Sequence, residues 1–95
     1  DYFNGNPIPL PPTLNSYWSG CFGSNWISWN SVVGAASYNI YENGVLTYTQ
    51  SATAYTFRQV SVPSYRTATI KACDTNGVCS ANSNTVPLSY SNACP

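Results

Sequence analysis

The chain offers few side chains that could perform catalysis. It has 95 residues, no histidine, three acidic residues and three basic residues. A serine or cysteine nucleophile normally needs an adjacent base, and histidine is the usual one. The remaining option, a serine activated by Lys71, is unfavourable because alternation places Lys71 on the outer face of its strand. We therefore expect no nucleophilic catalytic site.

The acidic residues do not form a pair suited to glycoside hydrolysis, which needs two carboxylates within roughly 5–10 Å. Glu42 and Asp74 fall in turns that we place at opposite ends of the predicted strands, and Asp1 lies in the N-terminal segment. The sequence also has no glycine-rich phosphate loop and no calcium loop. We predict that the chain is not an enzyme and that it uses no cofactor and no metal.

The formal net charge is zero, and only 6% of the residues are charged. Binding of nucleic acid or of an anionic membrane needs several cations on one face, and three scattered cations cannot supply them. No apolar run is long enough for membrane insertion. Serine, threonine and asparagine provide a neutral surface typical of secreted modules, so we expect the protein to be secreted or at the cell surface. We also expect it to be a monomer.

Short segments rich in β-branched and aromatic residues alternate with turn signals at roughly 8–12-residue spacing. Asn43-Gly44 is the strongest of these signals. The pattern predicts an all-β, seven-stranded sandwich of two sheets, in which alternation points one face of each strand inward. The predicted strands are 13–16, 25–31, 36–42, 45–50, 53–58, 66–73 and 79–88. The predicted core is Leu14, Ile27, Trp29, Tyr38, Ile40, Ala68, Ile70 and Val86.

The N-terminal segment is rich in proline, and Asn4-Gly5 forms a turn pair within it. Proline favours an extended backbone without ladder hydrogen bonds. We therefore predict a linker over residues 1–10 and one domain over residues 11–95, joined to something upstream. The absence of methionine is typical of a processed chain or an excised fragment.

Several short motifs, in this order and spacing, resemble a fibronectin type III domain over about residues 11–88. Pro11-Pro12 precedes the first strand, and Ile27-Ser28-Trp29 resembles the second-strand motif with its central tryptophan. Residues 34–41 (GAASYNIY) resemble the third-strand motif, and residues 70–80 resemble the sixth strand, its hairpin and the seventh strand. The resemblance implies an immunoglobulin-like sandwich, of the disulfide-containing extracellular type found in bacteria.

One position departs from the pattern of this family. The usual tyrosine near the start of the sixth strand is replaced by Arg66, and Tyr65 stands one residue earlier. Either a bulge re-aims Tyr65, or the usual tyrosine corner is absent. The Arg-Gly-Asp tripeptide is missing too, so integrin-type adhesion is not implied.

Four cysteines allow three pairings. A hairpin with the loop Thr75-Asn76-Gly77 would place Cys73 directly opposite Cys79, within disulfide range. Cys21 and Cys94 then remain, and the resemblance to fibronectin type III places them at the same pole. Free cysteines are a weaker alternative. A zinc site is weaker still, because there is neither histidine nor a C-x-x-C motif.

Aromatic residues are the one compositional excess, at 15% of the chain. One possible binding cluster is Tyr17, Trp18, Phe22 and Trp26, for which the alternative is a mini-core covering the open end of the sandwich. A second is Tyr41 with Tyr48, for which the alternative is an ordinary cross-strand pair on a solvated outer face.

The leading functional hypothesis is a non-catalytic spacer or interaction module in a larger secreted or surface protein, such as a polysaccharide-degrading enzyme or an adhesin. Its partners would be the neighbouring domains. The alternative is a module that binds carbohydrate or a protein surface through an exposed aromatic cluster. A self-associating adhesin repeat is a third hypothesis.

Overall fold

The computed structural model describes residues 2–3, 6–18 and 23–90. Within these ranges the chain forms nine β-strands and no helix, and hence no helix able to cross a membrane. The strands are β1 (Tyr2–Phe3), β2 (Asn6–Pro7), β3 (Leu14–Trp18), β4 (Ser24–Trp29), β5 (Ser37–Glu42), β6 (Val45–Ser51), β7 (Phe57–Ser61), β8 (Arg66–Cys73) and β9 (Val86–Leu88).

Strands β3 to β9 form two antiparallel sheets, ordered β3-β4-β7 and β6-β5-β8-β9. The predicted all-β, seven-stranded sandwich is thus confirmed. Among the described residues, strands β1 and β2 pair only with each other, inside the segment predicted to be a proline-rich linker with few ladder hydrogen bonds. Pro7 is compatible with this pairing, because in the described part of the chain neither strand has a second neighbour that would need the missing N–H of Pro7. The predicted turn at Asn4-Gly5 lies outside the described residues.

Two predicted strands are displaced. The fifth lies at Phe57–Ser61 instead of 53–58, because residues 52–56 form a turn region in which Ala52 N–H donates to Ala36 O. The last strand is regular only at Val86–Leu88. Before it, the hydroxyls of Ser80 and Ser83 accept hydrogen bonds from backbone N–H groups of β8, in place of a regular ladder.

The core lies between the two sheets. All eight residues that alternation placed inward are buried, together with Val60, Val62, Ala72 and Leu88. The rings of Trp29 and Tyr38 meet at its centre, with centroids 5.5 Å apart. Burying one large apolar side chain contributes about 1.5–3 kcal/mol, so these contacts account for the close association of the sheets.

Side chains join the sheets at both open edges. On one side, the Asn84 side chain accepts from the Leu14 N–H and donates to the Leu14 carbonyl, each at 2.8 Å. On the other side, the guanidinium carbon of Arg58 lies 4.2 Å from the ring centroid of Tyr48. One Arg58 Nη atom also donates to Gln50 Oε1 at 3.3 Å. The Arg58 side chain thus joins the three-stranded sheet to the four-stranded sheet through its contacts with Tyr48 and Gln50.

The described chain enters and leaves the sandwich at opposite poles. At the N-terminal pole, Thr13 N–H donates to Asn30 Oδ1, just beyond the end of β4. At the C-terminal pole, Asn25 near the start of β4 exchanges two hydrogen bonds with the backbone of Ser89. Asn25 and Asn30 are five residues apart along an extended strand, or about 16 Å.

The start of β8 decides between the two alternatives for the tyrosine corner. Tyr65 is 63% exposed, and β8 pairs with β5 without a register shift. The usual tyrosine corner is therefore absent. Arg66 takes its position and forms an ion pair with Glu42, with 3.0 Å between Nη1 and Oε1.

Candidate aromatic binding face

The outer face of the three-stranded sheet carries a row of aromatic side chains. Tyr17 in β3 lies directly opposite Trp26 in β4. Both point outward, because the flanking residues Asn25 and Ile27 of β4 are buried in the interior. Trp26 is half-buried and Tyr17 is exposed, so the pair presents its rings to solvent.

Two further rings extend this pair. The centroid of Phe57 in β7 lies 5.9 Å from that of Trp26, and the two ring planes are inclined at 53°. Tyr55, 71% exposed, lies 4.9 Å from Phe57 at 32°. Tyr17 joins this series as the cross-strand neighbour of Trp26, and ring contacts continue from Trp26 through Phe57 to Tyr55. We call these four residues the aromatic row.

Among the described residues, no charged side chain lies on the face around the aromatic row. Its remaining outward side chains are amides and hydroxyls, and Gln59 Nε2 donates to Ser24 Oγ at 2.7 Å. The rings offer apolar faces, and the indole N–H and phenol groups offer hydrogen bonds at their edges. This arrangement suits a neutral ligand with C–H groups for the rings and hydrogen-bonding groups for the edges.

The outer face of the four-stranded sheet is different. It presents Asn39, Tyr41, Thr69 and Lys71, and the Lys71 Nζ lies 5.4 Å from the Tyr41 ring centroid. This cation–π contact covers a ring that would otherwise be available to a ligand. The two outer faces are therefore chemically unlike, and the uncharged aromatic surface belongs to the three-stranded sheet.

The first cluster expected from the sequence is only partly assembled among the described residues. The structure brings Tyr17 and Trp26 together, whereas Phe22 and the Trp18 side chain lie outside what it describes. Sequence reasoning missed Tyr55 and Phe57. Their spacing of two residues was the available signal, because residues i and i+2 of an extended segment share a face.

The second expected cluster, Tyr41 with Tyr48 on one outer face, is wrong. The register of β5 and β6 shifts between Ile40 and Tyr41, so that Tyr48 pairs with Ile40 and Tyr41 pairs with Leu46. The extra residue is Thr47, whose hydroxyl donates to the Ile40 carbonyl at 3.2 Å. A single bulged residue changes which face of the sheet the side chains beyond it occupy. Tyr48 consequently packs against the core, on the opposite side of the sheet from Tyr41.

The carboxylates of Glu42 and Asp74 lie at opposite poles and each has a structural role. Glu42 is 4% exposed and bonded to Arg66 and Thr47. Asp74 Oδ1 accepts the backbone N–H groups of Asn76 and Val78, both at 2.9 Å. Neither arrangement is that of a catalytic pair.

The predicted disulfide between Cys73 and Cys79 is confirmed. The two residues form an antiparallel bridge with 3.9 Å between their Cα atoms. The loop between them is the expected one, since Gly77 has φ +81° and its N–H donates to the Asp74 carbonyl. Cys21 and Cys94 lie outside the described residues, so their pairing stays a prediction.

A shallow apolar groove of about 440 Å³ lies at the N-terminal pole. It is lined by residues 8–11 of the proline-rich segment and by residues 30–34 of the β4–β5 loop. Leu10 and Val33 on its rim are largely exposed. None of these described lining residues is charged, and the groove lies where the described chain enters the sandwich.

No family model matches this sequence. The chain is 36% identical over 81 residues to a poly(3-hydroxybutyrate) depolymerase of Delftia acidovorans. The match covers 82% of this chain but only 16% of the relative. The chain thus corresponds to a small part of that protein.

Solved structures with the same architecture include the spore cortex lytic enzyme SleM of Clostridium perfringens, with a TM-score of 0.73 at 21% identity. That match covers 93% of this chain and 30% of SleM. An Fn3-like protein from Clostridium thermocellum has a TM-score of 0.71 at 23% identity, and the match covers 92% and 98% of the two chains. The central fibronectin-III array of RIM-binding protein has a TM-score of 0.66 at 24% identity, covering 96% and 38%. The resemblance expected from the sequence motifs is confirmed at the level of the fold.

Proposed function

We propose that this chain, which has the fibronectin type III fold, serves as a non-catalytic accessory module within a larger extracellular enzyme. The matched segments make up 16% of the depolymerase and 30% of the spore cortex lytic enzyme, as expected for a module carried by a longer chain. The Cys73–Cys79 disulfide supports an oxidising, extracellular setting.

The observation that carries this proposal is the position of the chain ends. The described chain enters at the N-terminal pole beside Asn30 and leaves at the C-terminal pole beside Asn25. Domains joined at the two ends would therefore lie in series, separated by the length of the sandwich. This geometry suits a spacer that holds two neighbours apart.

The apolar groove supports contact with the preceding domain. A domain that precedes β1 would be joined through β1, β2 and residues 8–11 to the pole that exposes Leu10 and Val33. Inter-domain contacts of this kind bury apolar side chains and limit the relative motion of the two domains. We propose that the preceding domain covers this groove.

The experiment compares three forms of the full-length protein that carries this chain: intact, with the module deleted, and with the module replaced by an unrelated sandwich whose ends are also at opposite poles. We expect deletion to lower the rate on an insoluble polymer but not on a soluble substrate, and the replacement to restore it. The isolated module should hydrolyse neither. Hydrolysis by the isolated module, or a deletion without effect on the insoluble polymer, would contradict the proposal.

The second candidate function is binding of a carbohydrate or a protein surface through the aromatic row. The exposure of Tyr17 and Tyr55 on an uncharged face favours it. Titration with soluble oligosaccharides should change the fluorescence of Trp26 if such a ligand binds, and an unchanged spectrum would argue against this function.

A further inference from the structure

We propose that the aromatic row binds an uncharged aliphatic polyester chain. This inference rests on the proposed accessory function and specifies the kind of polymer that the module would contact. It concerns the outer face of the three-stranded sheet, which is not part of the core and is not used by the poles where neighbouring domains would attach.

The chemistry of the face matches such a polymer. A polyester has aliphatic C–H groups and ester carbonyls, no charge and no hydrogen-bond donors. The aromatic row offers ring faces for the C–H groups, and the indole N–H of Trp26 and the hydroxyls of Tyr17 and Tyr55 as donors to the carbonyls. No charged side chain of the three described strands points out of this face, so none would be desolvated without a partner.

The ring geometry favours a flexible aliphatic chain over a ribbon of sugars. Phe57 lies between Trp26 and Tyr55, and its ring has no polar group to receive a sugar hydroxyl. The three ring planes are inclined by 53° and 32° at the two contacts, so they do not form one flat surface on which successive pyranose rings could stack. A chain with freely rotating bonds can follow this inclined series of rings.

The similarity to the Delftia acidovorans protein points to the same chemistry. Poly(3-hydroxybutyrate), which that protein's name gives as its substrate, is an aliphatic polyester. An accessory module with an apolar contact surface would help to retain a depolymerase on such a solid.

The test is a depletion assay with the isolated module and amorphous poly(3-hydroxybutyrate) particles, run beside chitin and cellulose. We expect the module to leave solution with the polyester particles and to remain in solution with the two polysaccharides. The variant Y17A/Y55A removes the two most exposed rings of the row, and its apparent affinity should fall about tenfold or more. A second variant, W26A/F57A, should abolish retention.

Controls separate loss of binding from loss of folding. Tyr41→Ala removes a ring from the other outer face and should leave retention unchanged. Each variant is checked by thermal unfolding, and the exposure of Tyr17 and Tyr55 makes their truncation the least disruptive change. If Tyr41→Ala weakens retention as much as Y17A/Y55A, the assigned face is wrong.

Retention on chitin or cellulose instead of polyester, or retention on none of the three, would overturn this inference. Neither result would contradict the accessory function, which is tested separately by deleting or replacing the module. Conversely, a module that binds polyester but can be deleted from its parent without effect would refute the accessory function only.

Discussion

Arg66 and Glu42 form an ion pair across the β5–β8 ladder, with 3.0 Å between Nη1 and Oε1. The carboxylate is 4% exposed, whereas the arginine side chain is 33% exposed. The single hydroxyl proton of Thr47 is shared between the other carboxylate oxygen, at 3.3 Å, and the Ile40 carbonyl, at 3.2 Å. The buried carboxylate of Glu42 thus has one partly exposed arginine as its counter-charge. This arginine stands at the position where the fibronectin type III pattern has a tyrosine.

Replacing that arginine should destabilise the fold. In Arg66→Ala the carboxylate of Glu42 stays buried without its counter-charge, and we expect the free energy of unfolding to fall by about 2–3 kcal/mol, less than for a fully buried pair. Denaturant unfolding measures this change. Repeating the substitution in a Glu42→Gln background should cost about 1 kcal/mol or less, because no buried charge is then left unpaired. Equal losses in both backgrounds would show that the arginine acts through packing alone.

Substitution by alanine should destabilise the fold to different extents at two glycines with similar backbone angles. Gly23 and Gly34 have φ values of +81° and +85°. A Cβ on Gly23 would lie 1.9 Å from the Val62 carbonyl oxygen, whereas nothing lies within 4 Å of a Cβ on Gly34. We expect Gly34→Ala to cost about 1–2 kcal/mol for its left-handed backbone, and Gly23→Ala to cost at least about 2 kcal/mol more. Thermal unfolding of the two variants provides the comparison, and equal melting temperatures would contradict it.

The hairpin disulfide should contribute measurably to stability. Cys73 and Cys79 are six residues apart, so in the chain-entropy model their bridge restricts the unfolded chain by roughly 2.4 kcal/mol. The double variant C73S/C79S should therefore unfold at a lower denaturant concentration with little change in the native circular dichroism spectrum. A loss below about 0.5 kcal/mol would show that this loop is already restricted in the unfolded chain.

A second bridge between Cys21 and Cys94 remains a prediction, since both residues lie outside the described part of the chain. It would close a much longer loop, for which the same model gives roughly 4.5 kcal/mol. Peptide mapping by mass spectrometry without reduction should recover a Cys21–Cys94 peptide pair. We then expect C21S/C94S to lower the free energy of unfolding by more than C73S/C79S does, and the reverse order would contradict the prediction.

The buried core residues could be predicted from the sequence, because side chains alternate between the two faces of any extended strand. Once Ile27 and Trp29 are placed inward, every second residue of the same strand must follow. The hairpin at Cys73 and Cys79 was predictable for a similar reason, since the loop residues determine which positions lie opposite each other. The segment 52–56 lacked such a constraint, so the strand after it was placed too early.

The sequence by itself determined the class of fold, the inward faces and the Cys73–Cys79 pair, because short-range alternation and turn chemistry specify them. Only the tertiary structure decided which outward residues meet. The bulge at Thr47 moved Tyr48 away from Tyr41, and the pairing of β7 with β4 brought Phe57 to Trp26. The first change is a bulge within the β5–β6 hairpin, whereas the second joins strands that are distant along the chain. Their register follows from the packing of the whole sandwich and not from local spacing.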